Sequence, residues 1–120
     1  MEFEKIEWSV HPSPLDPEDQ CIGLIKLNAP EKLNAIGPQM SLELDYLCGR
    51  IRRREDIQVV VVTGTDPGFC AGGDLKEREG MTDQAWRLQH AIFEQAVYHL
   101  MDCPVPVIAA VNGAAFGGGC

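Results

Sequence analysis

Apolar and polar side chains alternate at several steps across residues 3–10 (Phe3-Glu4-Lys5-Ile6-Glu7-Trp8-Ser9-Val10), the spacing of a half-buried strand. Residues 11–20 then carry three prolines and three acids, which makes them a loop. Cys21-Ile22-Gly23-Leu24-Ile25-Lys26-Leu27 predicts a second strand, so the two form a hairpin with a long, acidic connection. Gly37-Pro38 opens a helix, with proline early, where its missing N–H is not needed. Met40, Leu44, Leu47 and Ile51 recur at helical spacing and carry that helix to about Arg54. The β-branched run Val59-Val60-Val61-Val62, inside Ile57–Thr63 and bounded by Gly64, predicts a strand buried on both faces, as in parallel sheets. Thr82 caps a second helix reaching about Met101, with Phe93, Val97 and Leu100 on one face. Val105–Val111 is a further apolar strand, entered through Pro104 and Pro106. Strand, helix, strand, helix, strand predicts an α/β fold with right-handed crossovers. No internal repeat or low-complexity segment interrupts it.

Composition narrows the function classes. The chain has 120 residues and a net charge of -8, from 10 Lys+Arg against 18 Asp+Glu. That acidic balance argues against a nucleic-acid surface, which needs clustered cations. No run of apolar residues is long enough to span a membrane. The start, Met1-Glu2-Phe3-Glu4, is acidic and unlike a secretory or organelle signal, so a cytoplasmic setting is expected. Cys21, Cys48, Cys70, Cys103 and Cys120 include no C-x-x-C pair, which gives no zinc motif. Their odd number reads as free thiols in a reducing compartment.

Of 12 glycines, nine lie in residues 61–120. They build two turns, each after a buried strand. One is Gly68-Phe69-Cys70-Ala71-Gly72-Gly73-Asp74; the other is Asn112-Gly113-Ala114-Ala115-Phe116-Gly117-Gly118-Gly119. In open α/β sheets, ligands bind beyond the carboxyl ends of strands. Glycine there lets the backbone approach a ligand closely with its N–H groups aimed outward. Two such turns converging would offer a pair of donors to one oxyanion. Tight packing turns are an equally good reading of the glycines alone. No Lys-Ser or Lys-Thr follows them, against a phosphate loop, and their late position argues against a dinucleotide fingerprint. A domain rarely ends on an apolar, glycine-dense loop, so residues 1–120 are expected to be the N-terminal portion of a single longer domain.

Three segments in order resemble the enoyl-CoA hydratase/isomerase (crotonase) superfamily. They are Leu27-Asn28-Ala29-Pro30-Glu31-Lys32-Leu33-Asn34-Ala35-Ile36; Val60-Val61-Val62-Thr63-Gly64 with Phe69-Cys70-Ala71-Gly72-Gly73-Asp74-Leu75; and Pro106-Val107-Ile108-Ala109-Ala110-Val111-Asn112-Gly113 through Gly119. The likeness runs from about Phe3 to Cys120. It implies a spiral of repeated β-β-α units, incomplete in this chain, that binds acyl-CoA thioesters. It implies that the backbone N–H groups of Ala71 and Gly118 stabilise an enolate-like oxyanion. Losing one such donor typically costs roughly 3–4 kcal/mol of transition-state stabilisation. By the same resemblance, the main chain around Lys32, Leu33 and Ala35 contacts the nucleotide end of coenzyme A, with Lys32 adding charge toward its phosphates or standing as a solvated loop lysine. Gly72, Gly73 and Asp74 belong to the same binding stretch, and Asp74 in its ordinary role caps the next helix.

Hydratases of this family use two glutamates as acid and base. The first directly follows the Gly-Gly-Gly-Cys pattern, and the second lies roughly 20 residues later, so both would fall after Cys120. Some members place the base on the preceding helix, where Glu94 stands; its ordinary reading is a solvated helix face. Glu77 and Glu79 read as surface charges, His90 and His99 as packing or solvent-facing, and Trp86 and Phe93 as core beside the acyl pocket. The implied reaction is trans-2-enoyl-CoA hydration or double-bond isomerisation, with thioester hydrolysis, ring cleavage or a non-catalytic CoA-thioester module as alternatives. No metal or redox cofactor is implied. Coenzyme A enters only with the substrate, and a homotrimer or homohexamer is the implied assembly.

Overall fold

A computed structural model describes residues 2–120. Its elements are β1 (Ile6–Pro12), β2 (Cys21–Leu27), a short 3-10 turn (Pro30–Lys32), α1 (Pro38–Arg52), β3 (Ile57–Gly64), α2 (Leu75–Arg78), α3 (Asp83–Met101), β4 (Val107–Ala109) and a second 3-10 turn (Gly117–Gly119). The strands form one sheet in the order β1-β2-β3-β4. β1 and β2 are antiparallel, as expected of the hairpin; β3 and β4 add parallel to it through the α1 and α3 connections.

The core follows from the periodicities. Met40, Leu44, Leu47 and Ile51 all face inward from α1, where they meet Ile25 and Leu27 of β2 and Val60 and Val62 of β3. Burying each such side chain stabilises the fold by about 1.5–3 kcal/mol. α3 packs against α1, with Ala96 in the same core. Its C-terminal end is tied there by Arg52 to Asp102 at 3.1 Å, and by His99 to Asp45. The Thr82 hydroxyl caps α3 by accepting the Ala85 N–H at 3.1 Å.

Three boundaries differ from the sequence reading. β1 starts at Ile6 rather than at residue 3, because the Glu43 carboxylate accepts the N–H groups of Glu4 and Lys5 at 2.7 and 3.0 Å. It runs on to Pro12, which an edge strand tolerates. β4 shrinks to Val107–Ala109, since prolines 104 and 106 have no N–H to give to a ladder. All three β4 residues are exposed, while the valines of β3 are buried or half-buried. On α3 only Ala96 is fully buried, and Trp86, read as core, is 40% exposed. The helix rests on α1 with a narrow face, and its first turns extend past the described layers.

Candidate active site

Three loops meet at the carboxyl ends of the parallel strands: residues 28–37 after β2, 64–74 after β3 and 110–120 after β4. Hydrogen bonds lock each to its neighbour. The Ile36 N–H donates to Gly72 O at 2.7 Å, and the Asp74 N–H to Ile36 O at 3.1 Å. The Phe69 and Cys70 N–H groups both donate to Ala114 O, at 3.1 and 3.2 Å, and the Phe116 N–H returns to Cys70 O at 3.0 Å. The two glycine-rich turns of the sequence are therefore laced together edge to edge.

Their meeting point is Gly72 against Gly118. Gly72 has φ +91°, and a Cβ there would lie 2.7 Å from Phe116 O and 3.3 Å from Gly118 N. Only glycine allows both that dihedral and that approach. The N–H groups of Gly119 and Cys120 are taken by Phe116 O and Gly117 O. The second turn makes a 3-10 turn over Gly117–Gly119. Ala71, the other expected donor, precedes Gly72 directly. In this structure its N–H donates to Leu33 O at 3.0 Å, so a ligand oxygen must displace or share with the Leu33 carbonyl. Leu33 and Asn34 hold φ of 52° and 58°, left-handed values that cost non-glycine residues about 1–3 kcal/mol each.

An open apolar groove of about 370 Å³ runs beside this meeting point. Phe69, Cys70, Phe93, Val97, Leu100 and Val107 form its walls, and Gly118, Gly119 and Cys120 close one end. The expected face of α3, Phe93, Val97 and Leu100, thus lines a cleft rather than a sealed core. Burial pushes the Cys70 thiol above its ordinary range. Among the described residues, the groove lining includes no acidic side chain and no imidazole.

The expected coenzyme A stretch lies on the far side of the 64–74 loop. Lys32 and Ala35 line a shallow depression there with Lys5, Ala29 and Pro38. The Lys32 ammonium is not free: it donates to Asp74 Oδ2 at 2.8 Å and lies 3.7 Å from Glu77. Asp74 raises the pKa of Lys32 through this hydrogen bond. Burial pushes the Asp74 carboxyl up, but Lys32 and the N–H groups of Glu77 and Lys76 outweigh it and hold the group below the ordinary carboxylate range. Those same N–H groups, Lys76 at 3.2 Å and Glu77 at 3.3 Å, make Asp74 the cap of α2, as expected. The Arg78 guanidinium packs over the backbone of Gly73.

Glu94 is exposed and does not line the groove. Its carboxylate lies 3.1 Å from His90 Nε2 on the flank of α3, and His90 stacks on Trp86 with ring centroids 4.6 Å apart. His99 is bound to Asp45 and staples α3 to α1. Glu77 and Glu79 are exposed.

The sequence reading overlooked Asn34. It is fully buried, and both ends of its amide are hydrogen-bonded. Its Oδ1 accepts the Ala29 N–H at 2.9 Å and shares the single Thr65 hydroxyl proton, at 3.0 Å, with Leu27 O; its Nδ2 donates to Thr65 O and Gly68 O, both at 2.9 Å. The signal was available, because asparagine in a proline-opened loop is the side chain that tolerates a left-handed backbone.

Among the described residues, no helix is long and apolar enough to cross a membrane, and no group of three or more His, Cys, Asp or Glu side chains is placed to hold a metal ion.

With this geometry in hand, the chain can be set beside known proteins. A mitochondrial enoyl-CoA hydratase of Pongo abelii is 38% identical over 103 residues, covering 86% of this chain and 35% of that protein. A short-chain-enoyl-CoA hydratase of Clostridium acetobutylicum is 34% identical over 100 residues, covering 82% of this chain and 38% of the other. The crystal structure of an enoyl-CoA hydratase from Bacillus anthracis shares the fold with a TM-score of 0.83 at 31% identity, over 97% of this chain and 43% of that one. The chain thus spans roughly two fifths of the length of these relatives. The family model described as enoyl-CoA hydratase/isomerase matches residues 17–120. By its three interlaced loops, its crotonase-like α/β arrangement and this match over most of its length, the chain belongs to the enoyl-CoA hydratase/isomerase family.

Proposed function

We propose that this chain forms the thioester-binding and carbonyl-polarising part of an acyl-CoA enzyme, with trans-2-enoyl-CoA hydration or isomerisation as its reaction. The observation that carries the reading is the contact of Gly72 with Gly118. It brings the Ala71 and Gly118 peptides to one end of an apolar groove. An acyl chain lies along Phe93, Val97 and Leu100, and its thioester oxygen enters between the two peptides. There the N–H groups of Ala71 and Gly118 stabilise negative charge as it develops on that oxygen. The Leu33 carbonyl gives up the Ala71 N–H to the incoming oxygen. The coenzyme A moiety leaves past Gly72 and Gly73 toward Lys32, Leu33 and Ala35. Lys32 meets it as part of an ion pair with Asp74 rather than as a free cation. Coenzyme A arrives as part of the substrate, and proton transfer is assigned to carboxylates outside these 120 residues.

Calorimetric titration with butanoyl-CoA and with free coenzyme A tests the reading. Saturable binding is expected for both, tighter for the thioester because only it fills the groove. No saturable binding of either at millimolar concentration would refute it. The absence of acidic or imidazole side chains from the groove lining favours one second reading, a CoA-thioester module that binds without turnover. Hydration of crotonyl-CoA, followed by loss of its conjugated absorbance, separates the two when the assayed protein carries this chain within the full length of its relatives; turnover by the 120 residues alone would refute the assignment of proton transfer outside them.

A further inference from the structure

The Gly68 carbonyl lies three residues before Ala71 and receives two side-chain amides from opposite directions. Asn34 Nδ2 donates to it at 2.9 Å from the loop after β2. Asn112 Nδ2 approaches it at 3.4 Å from the loop after β4. Both residues bind the same 64–68 segment a second time. Asn34 Nδ2 also holds Thr65 O at 2.9 Å, while Asn112 Oδ1 accepts the Gly64 N–H at 3.1 Å. The Nδ2 of Asn112 also reaches Asp66 Oδ1 at 3.3 Å. A side chain cannot be added at Gly64 without meeting Gly68 O at 2.7 Å and Asn34 Nδ2 at 2.8 Å, so the segment is closed around this carbonyl. Asn34 sits in a left-handed conformation, φ 58°, which asparagine tolerates better than other side-chain-bearing residues.

We infer that Asn34 and Asn112 are a positioning pair: by clamping the Gly68 carbonyl between the first and third loops, they set the aim of the Ala71 N–H relative to that of Gly118. The inference rests on the acyl-CoA reading above. Neither side chain touches the acyl group. An oxyanion donor works by being held in place before the charge develops, so a small displacement of the peptide weakens it steeply. Backbone bonds from Phe69 and Cys70 to Ala114 fix the segment just after Gly68 to the third loop, and the amide pair fixes the segment just before it. Together they fix the 68–71 stretch against both neighbouring loops, so that the Ala71 N–H, held on the Leu33 carbonyl at 3.0 Å, keeps its aim when a thioester oxygen replaces that partner.

The test is the carbonyl stretch of bound butanoyl-CoA, carbon-13 labelled at the thioester, in isotope-edited infrared spectra of the full chain at saturation. The parent is expected to shift the band to lower frequency, as a doubly hydrogen-bonded carbonyl must. The decisive variant combines Asn112→Asp with Asp66→Asn. It conserves charge, reverses the 66–112 hydrogen bond, keeps an acceptor for Gly64 and removes only the donor to Gly68 O. This variant should lose half or more of the downshift while free coenzyme A still binds within about twofold of the parent. In Asn34→Asp, the downshift should be small at pH 9 and recover toward pH 5. A carboxyl among carbonyls has a raised pKa and, once protonated, donates again. A full downshift in the double variant overturns the inference, and so does an equal loss of downshift and coenzyme A affinity. If Asn34→Asp does not fold, the double variant alone decides. A parent that binds butanoyl-CoA without any downshift refutes the acyl-CoA reading itself.

Discussion

Glu43 is the most exposed weakness of the fold, although it is itself entirely buried. Its Oε1 accepts the Glu4 N–H at 2.7 Å and the Lys5 N–H at 3.0 Å, while Oε2 accepts Gln39 Nε2 at 2.9 Å. These bonds replace the ladder that β1 lacks before Ile6 and pin the strand to α1. A hydrogen bond to a charged acceptor contributes about 1.5–3 kcal/mol net. Glu4 and Gln39 lie at the surface and regain water when the carboxylate is removed, so the sum is discounted. Glu43→Ala should then lose about 3–4 kcal/mol. Glu43→Gln keeps the length of the side chain. Its Oε1 still accepts from Glu4 and Lys5, and Gln39 can turn its amide to accept from the new Nε2. Only the charge assistance goes, about 1 kcal/mol. Urea unfolding of parent and variants, compared at a common slope, measures both numbers. Hydrogen exchange at the Lys5 amide should accelerate strongly in the alanine variant and little in the glutamine one. An alanine variant within about 0.5 kcal/mol of the parent would falsify this account. Equal losses in the two variants would show that charge, not the set of bonds, is what matters.

Other outcomes follow from the same geometry. Gly72→Ala forces a side chain into φ +91° and against Phe116 O, so it should lower stability by about 1–3 kcal/mol and weaken butanoyl-CoA binding more than free coenzyme A binding in paired titrations. Asp74→Asn keeps a capping side chain but removes the charged partner of the solvent-exposed Lys32 ammonium, a pair that water screens. Because the folded-state pKa of Asp74 is lowered, its charge stabilises the fold above the ordinary carboxylate range and that contribution fades as pH falls through the lowered value. The parent and Asp74→Asn unfolding midpoints should therefore differ at pH 7, begin to draw together near the ordinary carboxylate value of about 4 and meet once the pH is below the lowered Asp74 value; a gap unchanged through that whole range refutes the assignment. The Cys48 thiol is pushed up to about 11, first by burial and then by Cys103 and Asp45, so iodoacetamide at pH 8 should label the exposed Cys120 and spare Cys48 until the chain unfolds. Mass mapping that finds Cys48 labelled in the native chain would contradict the burial of that helix face.

Most of the fold was legible because it is written in periodicity. The 3.6-residue spacing of Met40, Leu44, Leu47 and Ile51 specifies one buried stripe, and the valine run of β3 specifies a central strand. Neither needs distant information. The elements that shifted are those whose state depends on residues far away in sequence. β1 starts where Glu43, 38 residues beyond Lys5, stops supplying its hydrogen bonds. β4 is cut short by its prolines, and Trp86 stays exposed because α3 rests on its neighbour with only a narrow face. The candidate site divides in the same way. Glycine density after two strands marked the loops, since glycine alone permits close backbone approach, and the motif order pointed to the family. The chain alone could not show that Gly72 and Gly118 face each other, that Lys32 is engaged by Asp74, or that Leu33 already occupies the Ala71 N–H. Nor could it show that Asn34 and Asn112 converge on one carbonyl. Those are contacts between segments more than thirty residues apart. Local pattern sets which backbone shapes are affordable; only packing in three dimensions decides which N–H meets which oxygen.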